Sequence, residues 1–261
     1  MTMSSSLQPT WVVIPTYNER DTLTRLLPNL LNQVECGILG VDDASEDGTA
    51  SLWDAWRSRC PDRVEVIHRS GKLGLGTAYL SAFAYCLDRG SAQWIVQMDA
   101  DGSHRVDDLV HMLAVAPSAD LVIGSRYVPG ASTPGWSPRR RALSKGGSWY
   151  SRQVLGCPIR DFTGGFKVWR ANFLARLPLH QLTATGYSFQ IAMNAWAWTC
   201  GGRIREVPIC FPERQAGTSK MSLSILWEAL GLVWQVRAQC RRWHRVPSEN
   251  SEDQDPERTS W

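Results

Sequence analysis

No stretch of this 261-residue chain holds the roughly 20 apolar residues in a row that a bilayer-spanning helix needs, so no spanning segment is predicted. The first ten residues are polar and lack an apolar core, which predicts no secretory leader. Seven cysteines occur (Cys36, Cys60, Cys86, Cys157, Cys200, Cys210 and Cys240), an odd and scattered set without a Cys-x-x-Cys. That pattern argues against a disulfide framework or a zinc site and fits reduced thiols. A charge excess is missing too: 28 Lys and Arg against 25 Asp and Glu leave a net charge of +3, so bulk electrostatics do not call for nucleic acid. The first apolar strand is not followed by Gly-x-Gly-x-x-Gly, which argues against a nicotinamide cofactor. Gly71-Lys72-Leu73-Gly74-Leu75-Gly76 lacks the Gly-Lys-Ser/Thr ending of an ATP-hydrolysing loop.

What the chain does have is a regular alternation. Short apolar strands are predicted at Trp11–Ile14, Gly37–Val41, Val64–His68, Trp94–Met98 and Leu121–Gly124. Helical spacing lies between them, as in Leu23, Leu26, Leu27, Leu30 and Leu31. Strict strand-helix alternation predicts an α/β domain with a mostly parallel sheet, whose strand C-termini share one edge. Beyond it the pattern loosens. Pro129–Arg141 is rich in Gly, Pro and Ser and reads as a mobile loop, followed by a helix over Ala142–Leu155. Phe162–Trp169 and Arg203–Phe211 read as extended, and Ser188–Trp198 as helical. The predicted boundaries are a disordered N-terminus over 1–10, a domain over 11–221, an amphipathic helix over 222–246 and a disordered polar tail over 247–261.

The chemistry clusters at the strand ends. After the fourth strand, Asp99-Ala100-Asp101-Gly102-Ser103-His104 places two carboxylates one residue apart. Such a pair repels itself unless a cation intervenes, and hard ions such as Mg²⁺ or Mn²⁺ favour oxygen ligands that bridge to phosphate. A solvated acidic turn is the plain alternative. Pro15-Thr16-Tyr17-Asn18-Glu19 leads from the first strand into a helix N-terminus, where anions are favoured and where Asn18 could simply cap. Asp42 and Asp43 crowd the end of the second strand, where a carboxylate can bond a base or ribose. Three oxygen-rich loops on one edge fit a nucleoside diphosphate with a metal.

These motifs, with Gly71–Tyr79, Gly124–Tyr127, Asp161–Phe166, Gly186–Gln190 and Glu213–Lys220 in order, resemble the dolichol-phosphate (polyprenol-phosphate) mannose synthases, inverting glycosyltransferases of GT-A fold. The resemblance runs from about Trp11 to Met221. It implies mannosyl transfer from GDP-mannose to a polyprenyl phosphate, assisted by Mg²⁺ or Mn²⁺. It implies that Pro15, Tyr17, Glu19, Val41 and Asp43 hold guanosine, and that Asp99, Ala100 and Asp101 line ribose, diphosphate and metal, with Ser103 completing the metal site. Arg126 would lie between donor and acceptor, Arg140 and Ser144 at the acceptor phosphate, and Arg214 and Lys220 at the donor diphosphate. One departure is Ala192, where relatives commonly carry glutamate. Two rivals stand beside this reading: a UDP-glucose-dependent transferase acting on the same lipid, and a non-catalytic nucleotide-sugar-binding subunit.

A lipid acceptor implies peripheral attachment at the cytoplasmic face of a membrane, alone or through a membrane-protein partner. Leu223, Leu226, Trp227, Leu230, Val233 and Trp234 follow helical spacing, and Arg237, Arg241, Arg242 and Arg245 come next. That combination predicts an interfacial anchor, with packing against the domain as the alternative.

Overall fold

A computed structural model describes residues 9–182, 187–213 and 223–243. A seven-stranded sheet has the order β3-β2-β1-β4-β6-β5-β7. Its strands are β1 (Thr10–Thr16), β2 (Gly37–Asp42), β3 (Val64–His68), β4 (Trp94–Gln97), β5 (Leu121–Ser125), β6 (Lys167–Arg170) and β7 (Ile204–Pro208). Only β6 runs against its neighbours, antiparallel to β4 and β5. The helices are α1 (Arg20–Gln33), α2 (Thr49–Arg59), α3 (Leu75–Asp88), α4 (Val106–Val115), α5 (Pro138–Leu155), the short α6 (Ala171–Leu174), α7 (Tyr187–Thr199) and α8 (Leu223–Trp243).

Strand alternation divides the core between two faces. On one side Val12 and Ile14 pack with Leu23, Leu27, Trp53 and Leu109 of α1, α2 and α4. On the other, Trp11 and Val13 pack with Tyr79 and Phe83 of α3 and Phe189 of α7. Burial on both faces is why these strands read as continuous apolar runs. β1 pairs with β2 on one side and β4 on the other. The chain order reverses there, and the loops leaving β1, β2 and β4 converge at that crevice.

Three expectations change. The predicted loop over Pro129–Arg141 ends early, because α5 starts at Pro138 and takes Arg139, Arg140 and Arg141 into its first turn. Ser137 caps it, its Oγ accepting from Arg140 N at 3.2 Å, and Pro138 fits the first helical position. β1 begins at Thr10, within the stretch expected to be disordered, and the Pro9 carbonyl accepts from Gln93 and Trp94. In α8, Val233, Val236 and Cys240 are buried rather than presented to a bilayer, the latter two clustering with Ala192, Ala195 and Trp196 of α7. Of the predicted stripe, Val233 is thus a packing residue and Trp234 is exposed, while the side chains of Leu223, Leu226, Trp227 and Leu230 lie outside the described ones. Arg214, Lys220, Arg245 and the tail over 247–261 lie outside the described residues.

Candidate active site

The acidic turn leaves β4 at the centre of the sheet. Asp99 is held from three directions: its N–H donates to His104 Nδ1 at 2.8 Å, Tyr79 Oη donates to its Oδ1 at 2.9 Å, and Gly165 lies against it with no side chain. A Cβ on Gly165 would sit 3.5 Å from Asp99 Oδ2 and 3.3 Å from Gln190 Nε2. Burial, then the charges and hydrogen bond of Asp99 and the charge of Asp101, push the Tyr79 phenol well above its ordinary range, so it stays a donor. His104 stacks on Phe166 with ring centres 4.4 Å apart; accepting through Nδ1, it carries its proton on Nε2. Asp101 is buried, and its Oδ1 accepts from both N and Oγ of Ser103. The Ser103 hydroxyl thus orients the carboxylate expected to bind metal. Ala100 is buried between the two acids.

Among the described residues, no group of three or more His, Cys, Asp or Glu could enclose a metal. Two hard carboxylates at one turn still fit a divalent cation that takes its remaining ligands from water and a substrate diphosphate, the usual habit of Mg²⁺.

Around the expected base pocket, Val41 is fully buried, Pro15 half-buried and Tyr17 exposed, with Lys72 Nζ 3.8 Å from its ring centre. Glu19 Oε2 accepts from Thr22 Oγ1. Asn18 adopts φ 59° and does not cap α1; its Oδ1 accepts from Glu46 N. The first N–H groups of α1 instead reach the next loop, Glu19 N to Thr49 Oγ1 and Arg20 N to Asp47 Oδ2. The two acids ending β2 are engaged internally. Asp42 accepts from Thr16 and Ser45. Asp43 pairs with Arg69 at 2.7 Å and accepts from the N–H groups of Leu73 and Gly74. The glycine-rich turn thus wraps a carboxylate of its own chain, and Gly74 takes φ 97° to do so. Asp43 shapes the wall of the crevice in this arrangement, and Arg69, which sequence reading missed, completes it.

On the other side, Arg126 follows β5. Its Nε and Nη2 bond Asp161 at 2.8 and 2.7 Å, its N–H also reaches Asp161, and Nη2 bonds Thr163 Oγ1. Arg140 lies 4.0 Å from the Trp136 ring centre, while the Arg126 guanidinium stands 5.5 Å from the same ring. Arg140 also pairs with Glu213. Tyr127 Oη donates to Ser144 Oγ at 2.6 Å, joining the loop after β5 to α5. The structure therefore brings Arg126, Arg140 and Ser144 into one cluster with Tyr127 and Asp161, both from the motifs noted in the sequence, and with Trp136, which no motif covered.

Beneath both halves lies Lys167 on β6. It is fully buried, and its Nζ donates to Gln190 Oε1 at 2.6 Å. Burial lowers its pKa to about 7, opposed by the charges of Asp161 and Asp99. Gln190 Nε2, also buried, has no hydrogen-bond partner among the described residues. A Cβ on Gly164 would lie 3.3 Å from Asp161 Oδ1, so the Gly164-Gly165 dipeptide separates the Arg126 pair from Asp99. Ala192 belongs to the α7–α8 seam with Val236 and Cys240.

A mostly parallel sheet with oxygen-rich loops at its switch point and an Asp-Ala-Asp turn after the central strand is the frame of a GT-A nucleotide-sugar transferase. The chain belongs to Glycosyl transferase family 2, which matches residues 11–177. It is 45% identical over 239 residues to the polyprenol monophosphomannose synthase of Mycolicibacterium smegmatis, covering 90% of each chain. It is 44% identical over 219 residues to the undecaprenyl-phosphate mannosyltransferase of Micrococcus luteus, covering 84% of this chain and 89% of the other. Among solved structures, the mannosyl-3-phosphoglycerate synthase of Rubrobacter xylanophilus shares the fold, with a TM-score of 0.63 at 18% identity over 95% of this chain and 79% of that one. A glucosyl-3-phosphoglycerate synthase from Mycobacterium tuberculosis, solved with Mn²⁺ and UDP, has a TM-score of 0.60 at 18% identity, covering 93% and 82%.

Proposed function

We propose that this chain transfers mannose from GDP-mannose to the phosphate of a polyprenyl lipid, with inversion at the anomeric carbon. The reading is supported by the relatives' names, both of which specify a polyprenyl-phosphate mannose transfer. One structural observation carries it: Asp99 of the donor loop and Asp161, which grips Arg126, lie on either side of Gly164-Gly165. Donor and acceptor can meet over a dipeptide that leaves room for both.

An acceptor phosphate is largely ionised at neutral pH, so its oxygen attacks without a strong base. The harder task is bringing two anions together. Arg126, always protonated and fixed in place by Asp161, holds its guanidinium beside the acceptor cluster, with the Asp161 carboxylate offsetting part of its charge. Arg140 is paired to the half-exposed Glu213, a partner that a doubly charged phosphate can displace. Ser144 offers a hydroxyl beside it, oriented by Tyr127. A divalent ion held by Asp99 and Asp101 would supply neutralisation of the departing diphosphate. Arg214 and Lys220 are proposed to add cationic contacts on the same group. The Asp43–Arg69 pair with Tyr17, Pro15, Glu19 and Val41 forms the wall assigned to guanosine. A peripheral site at the cytoplasmic face gives access to both substrates.

A donor panel tests this. Purified chain is incubated with radiolabelled GDP-mannose or UDP-glucose, Mg²⁺ or Mn²⁺, and a polyprenyl phosphate, and organic-phase label is counted. Label from GDP-mannose is expected. Label from UDP-glucose alone would replace the mannose assignment, and nucleotide binding without label from either donor would favour the non-catalytic subunit.

A further inference from the structure

Val236 and Cys240 of α8 pack on α7, yet three tryptophans remain outside the core on the neighbouring surface: Trp149 of α5 at 63% exposure, Trp234 of α8 at 54% and Trp198 of α7 at 41%. Exposed tryptophans grouped in this way are unusual on a freely soluble surface. Contacts join Trp234 and Trp198 to α5, the helix that carries Trp149. Trp234 Nε1 donates to Tyr150 Oη at 3.0 Å, which joins α8 to α5, and Arg237 donates to the Val154 carbonyl at the end of α5. Trp198 lines a groove of about 420 Å³ with Arg152, Cys157 and Pro158. It also lines a smaller one of about 170 Å³ with Leu155, Arg237, Cys240 and Arg241. On α5, Lys145, Trp149 and Arg152 recur at four and three residues and share a stripe.

Charge on these helices is one-sided. α5 carries five basic residues and no acid. α7 carries no charged residue, and α8 carries three arginines against Glu228. A chain of net charge +3 has thus concentrated cations on these helices. Tryptophans mixed with arginines and lysines match the boundary between lipid headgroups and acyl chains, where the ring sits at headgroup depth and the cation meets phosphate.

We infer that the composite face of α5, α7 and α8, rather than the stripe of α8 alone, docks the protein on an anionic lipid surface, with Trp149, Trp198 and Trp234 entering the interface and Arg152 and Arg241 taking lipid phosphates. This deepens the function proposed above, because α5 also carries the acceptor cluster. Ser144 precedes Leu155 by 11 residues, about 16 Å along the helix axis. One helix therefore links the docking face to the place where a lipid phosphate is needed.

The test floats the full chain on vesicles of phosphatidylcholine with and without phosphatidylglycerol, and assays turnover on long-chain acceptor in those vesicles and on a short, water-soluble prenyl phosphate. Trp149→Ser combined with Arg152→Gln, and separately Trp198→Ser, are expected to cut binding to the anionic vesicles by about tenfold or more. Turnover on the vesicle acceptor should fall in parallel, with turnover on the soluble acceptor unchanged. Undiminished flotation overturns the inference. Equal loss on both acceptors overturns it too, since the face would then belong to the catalytic fold. So does dissociation of a dimer by Trp149→Ser with vesicle binding intact, which would make the occupant a second copy. If the wild type transfers no sugar yet floats and the variants do not, the transferase reading fails while the docking face stands.

Discussion

Arg126 grips Asp161 at two points, Nε to Oδ2 at 2.8 Å and Nη2 to Oδ1 at 2.7 Å, with both side chains almost wholly buried. A buried pair of this kind rarely adds net stability, but removing one member strands the other charge. Asp161→Asn is expected to destabilise the fold by about 3–5 kcal/mol in urea melts. Arg126→Lys keeps the charge and loses the fork, so a drop in kcat that exceeds what its smaller loss of fold stability explains separates the catalytic role from the scaffold.

The same pair sets an acid limb. Burial raises the Asp161 pKa, but the Arg126 charge and the hydrogen bonds from Arg126 and Gly164 outweigh it and hold the carboxyl below its ordinary range. A depressed native pKa gives stability that is present above the unfolded value, about 3.9, and lost as pH falls toward the native one. Unfolding free energies measured from pH 6 down to pH 3 should therefore fall in the wild type, and fall less steeply in Asp161→Asn.

Lys167 gives a slope of opposite origin. Its native pKa of about 7, lowered by burial, lies below the 10.5 of the free side chain. Between those values the unfolded chain binds a proton that the native one has released, so stability rises with pH across the window. Lys167→Met fills similar volume without the charge and should lack that contribution, read as a smaller rise in Tm from pH 7 to pH 9. It also removes the donor to Gln190 beneath Asp99, so the donor KM should increase.

Asp43 and Arg69 predict a different separation. Asp43→Ala frees Arg69 and the N–H groups of Leu73 and Gly74. Losing charge-assisted hydrogen bonds costs about 1.5–3 kcal/mol. Because the turn borders the donor crevice, GDP-mannose KM should rise about tenfold or more while kcat changes little, measured at saturating acceptor.

The sheet was legible in advance because its strands are buried on both faces and alternate with helices, leaving little ambiguity from Trp11 to Leu121. The acidic turn was legible from its two carboxylates one residue apart, and the Arg126 region only through the resemblance to polyprenol-phosphate mannose synthases. The start of α5 was not, since Ser137 and Pro138 read equally as loop chemistry and as a cap followed by a first helical residue. Lys167 gave no signal, because a lone lysine in an apolar stretch reads as an edge residue until the packing of Gln190 above it is known. Asp43 was visible, but its partner Arg69 lies 26 positions away and meets it only through the pairing of β2 with β3. The stripe on α8 was legible as helical apolar spacing, but spacing does not tell a buried position such as Val233 from an exposed one such as Trp234.

The account rests on sugar transfer at the loop following β4, and one measurement addresses it directly: mass spectrometry of the lipid formed from GDP-mannose and a polyprenyl phosphate by the wild type and by Asp101→Ala. The wild type should yield one hexose added to the lipid phosphate, and the variant, still folded by circular dichroism, at least about a hundredfold less. The same yield from both proteins would contradict it.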